Sequence, residues 1–130
     1  MPRTKTAGPT EKELQILSIL WKNGQNTVRQ VNKIMNRSEV TGYTTTLKQM
    51  QIMFEKGLLK RDETFKTHIY LPAQSEMIVQ KQVLGSLLDR VFSGSVGKLV
   101  LSALSSKKIS KDELSKIKQM IKQKEQDIQK

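Results

Sequence analysis

Between Thr10 and Pro72 the sequence carries three short helical patterns followed by two strand-like runs, and that order restricts the fold more than any other feature. The first pattern opens on Thr10-Glu11-Lys12-Glu13, a capping box in which a hydroxyl and a carboxylate satisfy two otherwise free backbone donors. Leu14, Ile16, Leu17, Leu20 and Trp21 then share one face at about 100° per residue, and Gly24 supplies the stop. Thr27 suits the cap of a second helix, with Gln30 in the reciprocal place. Val28, Val31, Ile34 and Met35 form its stripe, which ends near Asn36. A third helix is predicted from about Gly42 to Lys56, stopping at Gly57. On it Tyr43, Thr46, Leu47, Met50, Met53 and Phe54 gather into an arc of roughly 120°, the width of a core-facing stripe. The runs Leu58 to Glu63 and Thr67 to Leu71 have strand character, and Thr64-Phe65-Lys66 suits a hairpin tip. Three short helices and a hairpin are the layout of a winged helix-turn-helix.

The side of the third helix that faces away from its stripe presents Thr44, Thr45, Lys48 and Gln49. Hydroxyl, cation and amide are the groups that hydrogen-bond base edges and phosphates, and they lie in the half of a recognition helix that enters the major groove. Such residues also decorate ordinary solvated faces. The hairpin is what turns the comparison toward DNA, because Lys60, Arg61 and Lys66 are placed to meet phosphates beside the groove. Thr41 and Tyr43, at the entrance to the helix, are further candidates for backbone contacts, although packing is the commoner role of a tyrosine there.

Charge agrees with a polyanionic partner. The 130 residues hold 23 Lys and Arg against 12 Asp and Glu, for a net charge of +11. Residues 1–72 carry 12 basic and 6 acidic groups and residues 73–130 carry 11 and 6, so charge alone does not say which half touches it. With no cysteine and one histidine, His68, there is no basis for a zinc finger, an iron–sulfur cluster or thiol catalysis, and no metal or cofactor is expected. His68 itself reads as a packing or surface residue. No P-loop, Gly-x-Ser-x-Gly or HExxH motif occurs, so an enzyme is not expected. Without a secretory leader or an apolar run long enough to span a bilayer, the expected location is the cytoplasm. Arg3 and Lys5 precede the first helix as a basic arm.

The expected division places a DNA-binding head in residues 1–73 and a helical arm in residues 74–130, with the seam at Leu71 to Ser75. From Ser75 to Phe92 the residues Met77, Ile78, Val83, Leu84, Leu87, Leu88, Val91 and Phe92 cover a wider arc than one packing partner needs. After Gly94, the stretch with Val96, Leu99, Val100, Leu101, Ala103 and Leu104 is apolar nearly all round, which predicts burial on every side. Ser110-Lys111-Asp112-Glu113 opens a last helix striped with Leu114, Ile117, Met120, Ile121 and Ile128. So short a segment cannot bury that much apolar surface alone, whereas a second copy of the chain solves the problem. The expected dimerisation residues are Leu84, Leu87, Leu88, Val91, Phe92, Leu99, Val100, Leu104, Ile117 and Ile121.

The string Pro9-Thr10-Glu11-x-Glu13-Leu14-x-Ile16-Leu17 with Leu20-Trp21, then Thr27-Val28-Arg29-x-Val31, Gly42-Tyr43-Thr44-Thr45, Glu55-Lys56-Gly57-Leu58, Arg61 and His68-x-Tyr70-x-Pro72 resembles the penicillinase and methicillin-resistance repressors of the BlaI/MecI type. Leu87 to Ser95 and Leu99-Val100 resemble the dimerisation region of that family. The resemblance implies two winged heads joined by C-terminal helices, a homodimer repressing transcription from a palindromic operator, with Thr44, Thr45 and Lys48 on the reading face. Three departures matter. Ile52 stands where the family usually has a basic residue. Leu101-Ser102-Ala103 stands where β-lactam-responsive members are cut at an Asn-Phe bond, so an upstream sensor protease, a possible partner by the resemblance, finds no support in the local cleavage sequence. The cysteine motif of the copper-responsive relatives is missing. The competing readings are a winged helix that binds DNA without sequence choice and one that docks onto another protein.

Overall fold

A computed structural model describes residues 9–129, so the arm of Arg3 and Lys5 lies outside the described residues. Its elements run α1 (Glu11–Asn23), α2 (Val28–Met35), α3 (Tyr43–Glu55), β1 (Leu59–Asp62), β2 (Ile69–Pro72), α4 (Glu76–Val91), α5 (Val96–Ser106) and α6 (Lys111–Gln129). The chain is thus mostly helical with one antiparallel hairpin, as its patterning predicts. It divides into two compact units, one through Ser86 and one from Leu87 onward.

The first unit is built on the caps read from the sequence. Thr10 Oγ1 accepts from the Glu13 N–H at 3.2 Å, and Glu13 Oε1 accepts from the Thr10 N–H at 2.8 Å. Thr27 Oγ1 accepts from the Gln30 N–H at 3.2 Å. Gly24 ends α1 at φ 84°, a left-handed conformation that glycine adopts without a Cβ penalty. Ile16, Leu17 and Leu20 of α1 meet Val28, Val31 and Met35 of α2, Met50 and Met53 of α3, Leu59 and Tyr70 in one buried cluster. Burying such side chains contributes roughly 1.5–3 kcal/mol each, enough for a small head to fold around them.

The hairpin pairs Leu59 with Pro72, Lys60 with Leu71, Arg61 with Tyr70 and Asp62 with Ile69. Asn26 adds a single-residue bridge, donating to the Tyr70 carbonyl at 3.0 Å and accepting from its N–H at 2.8 Å. That bridge clamps the hairpin to the α1–α2 turn.

Glu13 has a second role besides capping. Its side chain is 2% exposed, and its other oxygen accepts from Lys56 Nζ at 2.6 Å, joining the start of α1 to the end of α3. Burial pushes this carboxyl up, but the Lys56 ammonium and the Thr10 N–H outweigh it and hold the pKa below the ordinary carboxylate value. A depressed folded pKa means the stabilisation is present above the unfolded value and is lost as pH falls through the folded one. Glu13→Gln is therefore expected to cost about 1–2 kcal/mol at neutral pH, with the gap to wild type closing in acid. Urea unfolding of both proteins across that range checks it, and a gap of constant size contradicts the ion-pair account.

Three expectations need correcting. Tyr43, assigned to the core arc of α3, is 41% exposed, because it is the first residue of the helix and lines an open cleft instead of packing into the core. The one buried residue of α4 is Val79, whereas Met77 and Ile78 are exposed. The stretch forming α5 is not buried on every side: Leu101 is 70% exposed, and neither α5 nor α6 contains a buried residue. The unit from Leu87 onward supplies too few neighbours within one chain to cover its own apolar side chains.

Candidate nucleic-acid interface

A side-chain network at the turn between α2 and α3 holds the two helices together. Asn32 Nδ2 donates to the Thr41 carbonyl and to Thr46 Oγ1, both at 2.8 Å. Asn36 Nδ2 donates to the same carbonyl at 3.0 Å, and the Thr41 N–H donates to Asn36 Oδ1 at 2.7 Å. Thr41 is therefore held inside the turn by its backbone. Thr46, buried beneath it, is hydrogen-bonded and costs little to bury. Gly42 brings no side chain to cap α3, so the first-turn N–H groups face outward unblocked, an arrangement that favours an approaching anion.

On α3, Thr44, Thr45 and Lys48 are exposed together. Gln49 is half-buried and turns toward a shallow depression shared with Lys12 and Met35. Gln51 and Ile52 complete the exposed ridge, and Glu55 at its far end is the helix's one acid. The end of α3 nearest the turn is accordingly free of carboxylates, which suits a face that meets phosphates.

The hairpin separates its cations. Lys60 and Lys66 are exposed, and Phe65 beside Lys66 is 61% exposed at the tip. Arg61 instead lies over the Phe54 ring at 4.0 Å and the Tyr70 ring at 5.9 Å, and reaches Glu63 at 2.7 Å. Hydrogen bonding with Tyr70 and Glu63 raises its already high pKa. Its guanidinium braces the hairpin against α3. Asp62 fixes the tip by accepting from the Thr64 N–H at 2.9 Å, and hydrogen bonding with the Thr64 side chain, together with that N–H, holds its carboxyl below the ordinary value.

Two residues outside the sequence-based set belong to this surface. Arg29 stands over the exposed ring of Tyr43 at 4.9 Å, and Gln51 lines the cleft between α3 and the hairpin. Arg29 left a faint signal in the sequence, since a cation in the first turn of a helix opposes the macrodipole and calls for another explanation. Among the expected dimerisation residues, Leu84, Leu87, Val91, Leu104 and Ile121 are exposed, while Leu88, Phe92, Leu99, Val100 and Ile117 are half-buried. No described helix is long and apolar enough to cross a membrane.

A sequence model of the penicillinase repressor family matches residues 9–123. The penicillinase repressor of Bacillus licheniformis is 20% identical over 112 residues, which covers 86% of this chain and 88% of that protein. Among solved structures, a MarR family protein from Bacillus stearothermophilus aligns with a TM-score of 0.52 at 20% identity, over 94% of this chain and 76% of that one. At that identity the structural likeness concerns the winged-helix fold.

Proposed function

Because the chain belongs to the penicillinase repressor family, it is a DNA-binding transcriptional regulator rather than an enzyme, and we propose that it represses transcription as a homodimer seated on a palindromic operator. Residues 1–73 form the head that reads DNA, and residues 74–130 form the arm that pairs with a second copy. The observation that carries this reading is the exposed Thr44, Thr45 and Lys48 face, carboxylate-free and beside a hairpin that offers Lys60 and Lys66. On it Thr44, Thr45 and Lys48 read bases with Gln49 at the margin, and Lys60, Lys66, Thr41 and Tyr43 meet the backbone. Arg61, engaged with Phe54, Tyr70 and Glu63, serves the hairpin's rigidity more than a phosphate.

Pairing is supported by the exposed apolar side chains of the unit beginning at Leu87, since isolated chains seldom leave so many together. Two heads related by a two-fold axis match two half-sites, and linkage raises their joint affinity. The net charge of +11 also favours a second reading, binding without sequence choice. Enrichment of duplexes from a random-sequence pool distinguishes them. A repressor yields an inverted repeat and binds it in preference to a scrambled competitor, and equal binding to both supports the second reading.

A further inference from the structure

A cleft of about 300 Å³ opens between α2, α3 and the hairpin, and base reading makes no use of it. Arg29 enters it from α2, Tyr43 and Gln51 from α3, Lys66 and His68 from the hairpin. No carboxylate lines it. Among the described residues neither Arg29 nor Lys66 has an acidic partner at ion-pair distance, and Glu63 on the same hairpin is taken by Arg61. Cations brought together from distant parts of a chain repel one another unless an anion joins them.

The way Arg29 is held narrows the anion. Its guanidinium stands over the Tyr43 ring at 4.9 Å, and among the described residues its N–H groups donate to no side chain or carbonyl, so they remain for an acceptor such as a phosphate or carboxylate fork. Val28 and Leu47 are the purely aliphatic residues of the lining, so the cleft offers little to an enclosed apolar ligand. Its mouth lies beside the same helix that carries Thr44 and Lys48.

We propose that this cleft seats one phosphodiester of the DNA backbone in each half-site, gripped by Arg29 and Lys66, with Gln51 and His68 as further donors. The inference rests on the DNA-binding reading and deepens it. A phosphate held between α2 and the hairpin fixes the register at which the ridge of α3 meets the bases, a positioning role distinct from reading.

The test uses the full chain and a duplex that it enriches from a random-sequence pool. Neutral methylphosphonate replaces one phosphodiester at a time. One position per half-site is expected to lower wild-type affinity roughly tenfold, and the same replacement is expected to cost Arg29→Gln little more. The salt slope of Arg29→Gln is expected to be shallower by about 0.9 per half-site, and Arg29→Lys to recover the slope but not the full affinity. Lys48→Ala, measured in parallel, keeps the methylphosphonate effect while losing preference over scrambled duplex. If Arg29→Gln retains both the wild-type slope and the wild-type methylphosphonate profile while Lys48→Ala still loses preference, the cleft proposal is overturned and the operator reading stands. Failure of the chain to enrich any duplex removes the operator reading itself and the cleft proposal with it. Inorganic phosphate is the competing source of the same chemistry: micromolar binding that shifts the His68 ring resonances and displaces the duplex overturns the proposal in favour of a site for the free ion, and weak millimolar competition supports it.

Discussion

Glutamate at both Val91 and Leu101 is expected to leave the protein a monomer and to lower its affinity for a palindromic operator about 100- to 10,000-fold. These side chains are 64% and 70% exposed within one chain, so neither substitution disturbs packing inside it. In the proposed homodimer the same positions would lie in an apolar interface, where an unpaired buried carboxylate is strongly destabilising. The core of Ile16, Leu17, Leu20, Met50 and Met53 belongs to the unit that ends at Ser86, so the head should unfold at its wild-type temperature. Sedimentation reads the oligomeric state, and gel shifts on full and half operators read the affinity. The loss should be confined to the full operator, because one head on one half-site has no linkage to lose. A double variant that still sediments as a dimer removes these positions from the interface.

Local chemistry was the legible part of this chain. Thr10, Glu13 and Thr27 announce their helices because a cap is a contact between residues three apart, and the structure makes the hydrogen bonds that the spacing implies. The order of three helices and a hairpin was likewise readable, since helical and strand periods differ and glycines mark the ends. What escaped depends on docking between elements. Arg61 sits in a strand beside Asp62 and Glu63 and reads as an exposed cation, yet the docking of the hairpin on α3 lays it across Phe54. The Asn26–Tyr70 bridge is one residue long and has no periodicity to reveal it. Val79 was passed over because the broad apolar arc read on α4, from Met77 to Phe92, did not single out the one residue that is buried within the chain.

The α5 stretch shows a different limit. Apolar residues on every side of Val96–Ser106 say that water is to be excluded, but not whether the excluding surface belongs to the same molecule. Within one chain that surface is missing, as the exposure of Leu101 records. Composition had already set this constraint: 36% apolar and 5% aromatic residues make thin cores, and thin cores are commonly completed by association.

Thr45→Ala combined with Lys48→Ala is expected to remove about 2–6 kcal/mol of the preference for operator over scrambled duplex, as the sum of two base contacts of roughly 1–3 kcal/mol each. Both side chains are exposed and neither takes part in the Asn32, Asn36 and Thr41 network that orients α3, so helix placement should survive the change. Lys66→Ala is the control. It lies on the hairpin tip, where a lost phosphate contact weakens operator and scrambled duplex alike and flattens the salt slope by about 0.9 for each head. The comparison depends on that asymmetry, because a base contact distinguishes sequences and a phosphate contact does not. Competition gel shifts at fixed salt measure both quantities on the same duplexes. If the double variant loses affinity equally for both duplexes, Thr45 and Lys48 act as backbone contacts. The reading function then passes to Thr44, with Gln49 at the margin.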